Sequence, residues 1–205
     1  LKKIFENIKN VNIITITEAT KNYHISDFID GYKINIFLRD KNNMKYEKEI
    51  YSLLYLSYYL MISKNLFHCD WHFGNFLVKL DKNDKIILYI LDTGLMGQLN
   101  NEHYNKIKIL LITNILYPLP INIIKFLASI NLNDNANVKL FIKESKENID
   151  TKINYLDVID NSNVDYQNII IKILKISTKH NLKFPIIILF MFQAIIFLNN
   201  IKEGN

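Results

Sequence analysis

Three side chains that carry oxygen ligands lie in two short segments of the sequence. Asp70 and Asn75 belong to the segment His-Cys-Asp-Trp-His-Phe-Gly-Asn, and Asp92 belongs to Ile-Leu-Asp-Thr-Gly. Two carboxylates and an amide oxygen are the kind of ligand that Mg²⁺ prefers. Phosphoryl transfer uses such a set, with one carboxylate near the attacking nucleophile and an Asn and an Asp holding metal on the phosphates. These residue types therefore indicate chemistry on a phosphate group.

Two predicted strands bring the two segments together. Phe76–Leu80 and Lys85–Leu91 are apolar runs rich in strand-forming residues, and a short polar turn separates them. This pattern predicts an antiparallel hairpin. Because a hairpin returns the chain to its starting end, we expect Asp92 to lie beside Asp70 and Asn75.

The rest of the chain predicts a small amount of β structure followed by helices. Val11–Thr17 and Tyr23–Phe28 are short apolar runs on either side of a polar segment, which predicts a first hairpin. Apolar residues at three- and four-residue steps predict a buried helix over Tyr46–Ser63. Further helices are predicted over Tyr104–Tyr117, Ile121–Ile130, Val138–Asn154, Asn168–His180 and Ile186–Ile201.

Composition excludes several classes of protein. The 205 residues are 49% hydrophobic, which excludes a disordered chain, and a single cysteine excludes a disulfide-stapled module. The net charge of +5 is spread over scattered lysines, so nucleic acid is not an expected partner. The most apolar stretch, Ile186–Leu198, is shorter than the roughly 20 residues of a membrane span, and no signal peptide is evident. Because the first residue is Leu1, we expect the chain to be part of a longer protein.

The two site segments resemble those of protein kinases. The pattern H-x-D-x-x-x-x-N, followed by a strand pair and D-x-G, is similar to the kinase catalytic loop and metal motif. The finer resemblance is to the UbiB family of atypical kinase-like proteins, which typically reads H-A-D-x-H-P-G-N and then L-D-F-G-M-x-G-x-L. This chain has HCDWHFGN and LDTGLMGQL at those places, and the resemblance extends over about Val11 to Ile201.

The resemblance implies an α+β, protein-kinase-like fold with a mostly helical C-lobe. Residues 1–35 would be the end of the N-lobe strands and the hinge, and residues 36–205 would be the C-lobe. Asp27 to Ile29 would form the hinge, whose backbone groups would meet an adenine ring.

The resemblance also implies a role for each residue of the two motifs. Asp70 would be the catalytic aspartate, and Asn75 and Asp92 would hold the metal and the nucleotide phosphates. Supporting positions would be His68, His72, Gly74 and Gly94.

The implied activity is that of an atypical kinase or ATPase that uses Mg²⁺ and ATP in ubiquinone or other quinone-lipid metabolism. ATP, a quinone or isoprenoid lipid and a membrane surface would be its partners. The resemblance points to a mitochondrion, a plastid or the inner-membrane face of a bacterium, and leaves the oligomeric state open. The family's lysine motif and alanine-rich nucleotide loop should precede Val11, where only ten residues stand, so we do not expect a complete nucleotide site within this chain.

Three other interpretations stay open. A pseudokinase that binds nucleotide or a partner without turnover is favoured by the missing upstream motifs and by Thr93, which stands where the family has Phe. A small-molecule phosphotransferase resembling aminoglycoside and choline kinases would share the first motif, although its metal motif usually continues differently. An aspartic protease would share Asp-Thr-Gly, but it needs a second such motif or a dimer and an almost all-β chain.

Overall fold

The structure is a computed structural model, and it describes residues 1–114, 119–150 and 165–203. Its helices are α1 (Lys2–Phe5), α2 (Ile34–Phe37), α3 (Glu47–Ser63), α4 (Asn101–Asn114), α5 (Pro120–Ser129), α6 (Val138–Asn148), α7 (Tyr166–Lys179) and α8 (Ile186–Glu203). Its strands are β1 (Val11–Ile13), β2 (Ile16–Ala19), β3 (His24–Ser26), β4 (Tyr32–Lys33), β5 (Phe67–His68), β6 (Phe76–Leu80), β7 (Ile86–Ile90) and β8 (Met96–Gly97). This order confirms the predicted α+β class.

The chain divides into two compact units. The first unit consists of Leu1–Gly97 and Gln193–Asn205, and the second unit consists of Gln98–Phe192. Both candidate site segments belong to the first unit.

A four-stranded sheet with the order β1-β7-β6-β4 forms the centre of the first unit. The hairpin of β6 and β7 is antiparallel, with Phe76 opposite Ile90 and Leu80 opposite Ile86, as the sequence predicts. Side chains alternate strictly between buried and half-buried along β7, whereas on β6 Phe76 and Val78 are buried, Lys79 is exposed and Leu80 is half-buried. Helix α3 packs against β7 and buries one apolar stripe, which confirms the predicted helix over Tyr46–Ser63 to within one residue.

The antiparallel pair of β2 and β3 confirms the predicted first hairpin, but the prediction of one continuous first strand over Val11–Thr17 is wrong. The segment divides into β1, which pairs in parallel with β7, and β2, which pairs with β3 in a separate two-stranded sheet. Val11 is 2% exposed in the large sheet, whereas every residue of β2 is exposed. Burial of the apolar start of the segment against β7 therefore stabilises the fold more than a longer hairpin with β3 would.

The second unit is helical and has its own apolar core. Ile123, Leu127, Phe141 and Ile173 are fully buried within it. The predicted helix over Val138–Asn154 ends earlier than expected, because Ile149 is extended and α6 stops at Asn148. Positions 115–117 and 151–154 of two predicted helices lie outside the described residues.

The remaining helix predictions hold to within a few residues. In the part of the chain that the structure describes, none of the helices combines the length and apolar character that crossing a membrane requires.

Candidate active site

A tight turn leads from α3 into the first site segment. Asn65 has a φ of 57°, in the left-handed region where Asn is one of the few tolerated residues other than Gly. The amide of Leu66 donates to the carbonyl of Met61 at 2.9 Å, which closes the last turn of the helix. The turn sends the chain directly into β5 and so places His68 and Asp70 at the end of a rigid helix.

Backbone hydrogen bonds join the two site segments at both ends. Strand β5 pairs with β8, and beyond this pair the amide of Cys69 donates to the carbonyl of Leu95 at 2.9 Å. At the other end, the amide of Leu91 donates to the carbonyl of Asn75 at 2.9 Å. The structure therefore brings the segment of Asp70 and Asn75 against the segment of Asp92.

His68 connects the two segments through its side chain. The amide of Asp70 donates to Nδ1 of His68 at 3.2 Å, so the ring proton lies on Nε2, which donates to the backbone carbonyl of Asp92 at 2.5 Å. The side chain is buried, and burial lowers the pKa of His68. A neutral ring with this tautomer satisfies both backbone groups at once.

The Asp70 carboxylate has one occupied and one open oxygen. Its Oδ2 accepts from Nδ2 of Asn75 at 3.1 Å and lies 3.2 Å from Nε2 of His72. The Asn75 amide also donates to the backbone carbonyl of Asp70 at 2.8 Å. Among the described residues no side chain or amide donates to Oδ1, and the Asp70 side chain is 46% exposed.

Asp92 and Asn75 also carry oxygens without a partner in the described part of the chain. Oδ1 of Asp92 accepts from the amide of Gly94 at 2.7 Å, which leaves Oδ2 open on an exposed side chain. The side-chain nitrogen of Asn75 donates to Asp70, which leaves Oδ1 of Asn75 open although the residue is only 8% exposed. One amide oxygen and one carboxylate oxygen are suitable ligands for Mg²⁺.

These two residues could therefore hold a magnesium ion. No group of three His, Cys, Asp or Glu side chains suited to a metal ion occurs among the described residues. The pair of Asn75 and Asp92 contains only one such side chain, because the other ligand would be an amide oxygen.

Gly94 and Gly74 fit closely against the side chains of the site. A Cβ on Gly94 would lie 3.1 Å from Oδ1 of Asp92, and a Cβ on Gly74 would lie 2.6 Å from Cε1 of His72. The second distance is shorter than real contacts allow, so a Cβ at position 74 would displace the His72 ring from this conformation.

The hinge segment, Asp27–Ile29, follows β3 and borders a pocket of about 580 Å³. The amide of Asp27 donates to the carbonyl of Thr15, and the carbonyl of Ile29 accepts from the amide of Gly31, both at 3.0 Å. In the described part of the chain the carbonyl of Asp27 and the amide of Ile29 have no hydrogen-bond partner. One acceptor and one donor two residues apart are thus available to a ligand.

The pocket also contains groups that the sequence analysis did not single out. Tyr89 lines it from β7, and Lys2, Lys3 and Lys9 line it near the start of the chain. Asp70, Asn75 and Asp92 are not among its lining residues, so this pocket contains the hinge without the two motifs. Lysines are spread over the whole sequence, and no spacing pattern marks these three.

An aromatic cluster behind the first motif was also missed. The ring of Trp71 lies 5.1 Å from that of Tyr58, 5.2 Å from that of His68 and 4.6 Å from that of Phe76. Trp71 is 4% exposed. An aromatic residue between two motif positions was the available signal, but the sequence alone does not reveal which way it points.

Cys69 is buried beside this cluster, and burial raises the pKa of its thiol. It therefore fits the sequence interpretation of a small buried side chain, since a nucleophilic cysteine needs a lowered pKa.

The α+β fold, the paired motifs and the open oxygens together define a protein of the kinase-like class. The family model of the ABC1 atypical kinase-like domain matches residues 1–117, more than half of the chain and all of both motifs. The chain belongs to this family, and the predicted kinase-like fold is confirmed. A comparison with curated proteins found no match to the chain.

Proposed function

We propose that this protein is an atypical kinase or ATPase that uses Mg²⁺ and ATP, with Asp70 as its catalytic residue. The observation that carries the proposal is the His68 side chain, which binds the backbones of Asp70 and Asp92 at 3.2 and 2.5 Å. It holds together two motifs whose open oxygens are the ones that phosphoryl transfer needs. Membership in an atypical kinase family agrees with this assignment.

In this proposal each open oxygen has one task. Asn75 and Asp92 hold the magnesium ion, which neutralises charge on the phosphates when it is bound. Asp70 accepts the proton of the attacking hydroxyl group or water. The carbonyl of Asp27 and the amide of Ile29 bind the edge of the adenine ring.

The metal assignment is tested by changing Asp92 to Asn in the full-length protein. We expect the substitution to weaken nucleotide binding in the presence of Mg²⁺ and to leave the weaker, metal-free binding nearly unchanged. Asp84→Asn is the matched control, because Asp84 is an exposed turn residue with a φ of 56° that Asn also tolerates. An unchanged magnesium dependence in Asp92→Asn would refute the assignment.

The catalytic assignment is tested by changing Asp70 to Asn and measuring ATP turnover and ATP affinity. The loss of a general base lowers rates by about 10²–10⁴-fold, so turnover should fall by that factor while affinity stays nearly intact. Turnover that survives the substitution would contradict the role of Asp70. A wild-type protein that binds nucleotide without turnover would instead support the pseudokinase alternative, which Thr93 favours.

The acceptor and the cellular setting rest on the narrower resemblance to the UbiB family. We propose that the turnover serves quinone-lipid metabolism at a membrane surface, in a mitochondrion, a plastid or at a bacterial inner membrane. ATP hydrolysis should then rise when vesicles containing a quinone lipid are added, compared with vesicles of the same phospholipids alone. Equal rates with both kinds of vesicle would count against a quinone-lipid role.

A further inference from the structure

We infer that His72 is a positioning residue that fixes which oxygen of Asp70 takes the proton. This inference rests on the proposed function and assigns a role to a residue that the motif comparison left as a mere supporting position. Three contacts carry it: Gly74 to His72, His72 to Asp70, and Asn75 to Asp70.

The backbone determines the tautomer of His72. The amide of Gly74 donates to Nδ1 of His72 at 3.0 Å, so Nδ1 is an acceptor and the proton of the neutral ring must lie on Nε2. That nitrogen lies 3.2 Å from Oδ2 of Asp70, to which it therefore donates. His68 has the same arrangement, in which the amide two residues further on fixes the tautomer.

Gly74 is what allows this conformation of the ring. The imidazole folds back over residue 74, where a Cβ would lie 2.6 Å from Cε1 and 2.8 Å from Nδ1. Any other residue at this position would push the ring away and break its contact with the amide. The short spacing of His72 and Gly74 therefore encodes the direction of Nε2.

The consequence falls on the Asp70 carboxylate. Nε2 of His72 and Nδ2 of Asn75 both donate to Oδ2, so the two donors occupy that oxygen and hold the carboxylate in one orientation. Oδ1 is then the atom that meets the nucleophile. The nucleophile's O–H bond breaks and the proton goes to Oδ1. The nucleophile's oxygen uses an electron pair to form the new P–O bond. The bond from the transferred phosphorus to the departing phosphate breaks, and its electron pair stays on that phosphate.

The hydrogen bond is tested by nitrogen NMR of the histidine rings in the ¹⁵N-labelled protein at neutral pH. We expect His72 to show the Nε2–H tautomer and its Nε2 signal to shift when Asp70 is changed to Asn. His24 is the internal control, since it is exposed and no hydrogen bond of its ring occurs in the described part of the chain, so it should show averaged tautomers. A His72 ring that averages like His24, or that carries its proton on Nδ1, would overturn the inference.

The positioning role is tested by turnover of His72→Leu, His72→Gln and Gly74→Ala. His72→Leu and Gly74→Ala should lower kcat by about tenfold, the effect of one hydrogen bond to a charged group, with KM for ATP unchanged. His72→Gln should recover much of kcat, because the Gln amide can donate from nearly the same place as Nε2.

The outcomes separate this inference from the proposed function. If wild-type protein turns over ATP and His72→Leu does so equally well, only the positioning role is refuted. If wild-type protein shows no turnover, the proposed function fails and the positioning role fails with it, whatever the NMR signals show.

Discussion

Replacing His68 with leucine removes two hydrogen bonds from the buried centre of the site. The amide of Asp70 loses its acceptor and the carbonyl of Asp92 loses its donor, while the leucine side chain fills much of the same space. A typical hydrogen bond contributes about 1 kcal/mol, and a buried group left without a partner costs about 1–3 kcal/mol. We therefore expect the free energy of unfolding to fall by about 2–4 kcal/mol.

The single tryptophan provides the assay. Trp71 is 4% exposed and its ring lies 5.2 Å from that of His68, so its fluorescence reports unfolding of the first unit in urea. The matched control is His24→Leu, at an exposed position of β3, which should change stability by no more than about 0.5 kcal/mol. If His68→Leu were as mild as this control, the His68 side chain would not be what holds the two motifs together.

Three further predictions concern the second unit and the buried thiol. Hydrogen bonds from Lys179, and to a smaller extent from His180, lower the pKa of Glu144. Its carboxylate therefore stabilises the fold above about pH 4.5, and this stabilisation is lost as the pH falls through the lowered pKa. Glu144→Gln should make the free energy of unfolding, measured by circular dichroism, less dependent on pH in this acidic range. Phe141→Ala should cost about 3–5 kcal/mol in urea unfolding because Phe141 is fully buried, whereas truncation of its exposed neighbour Leu140 should cost far less, and equal losses would contradict the burial. Cys69 should react with a thiol reagent only when the protein unfolds, because burial covers it and raises its pKa, and rapid reaction of the folded protein would show otherwise.

The parts of the fold that the sequence predicts are those set by local periodicity. In the hairpin of β6 and β7, every second residue of β7 is buried, as are Phe76 and Val78 of β6, and the turn between the strands is polar. Helix α3 repeats apolar residues at helical spacing over 17 residues. Each pattern is long enough to exclude the other kind of element.

Pairings between distant short segments could not be predicted in this way. Strands β5 and β8 have two residues each, so neither carries a readable period. Strand β1 has three residues and pairs with β7, which lies more than seventy positions further along the chain. Such pairings depend on which surfaces the folded core leaves to be buried, and a single sequence does not report that.

The candidate site was predictable as a set of residue types but not as a set of atoms. The motifs named Asp70, Asn75 and Asp92, and those assignments stay predictions. The occupied oxygen of Asp92 is set by the backbone amide of Gly94, whose direction follows from the turn conformation, and that of Asp70 is set by the side chains of Asn75 and His72. The tautomers of His68 and His72 likewise follow from amides two residues further on.

Aromatic packing restricts the shape of the loop that carries the first motif. The UbiB pattern has proline where this chain has Phe73 and leaves the position of Trp71 open, and proline restricts a loop through its fixed φ. Here packing restricts the same positions, because Trp71 lies among the aromatic rings behind the motif and the ring of Phe73 lies 4.8 Å from that of Phe197 on α8. The hydroxyl of Tyr55 on α3 also donates to the carbonyl of Leu198 at 2.7 Å. The end of α8 therefore supports both the first site segment and the helix that leads into it, so mutations in α8 should reach the candidate site through Phe73.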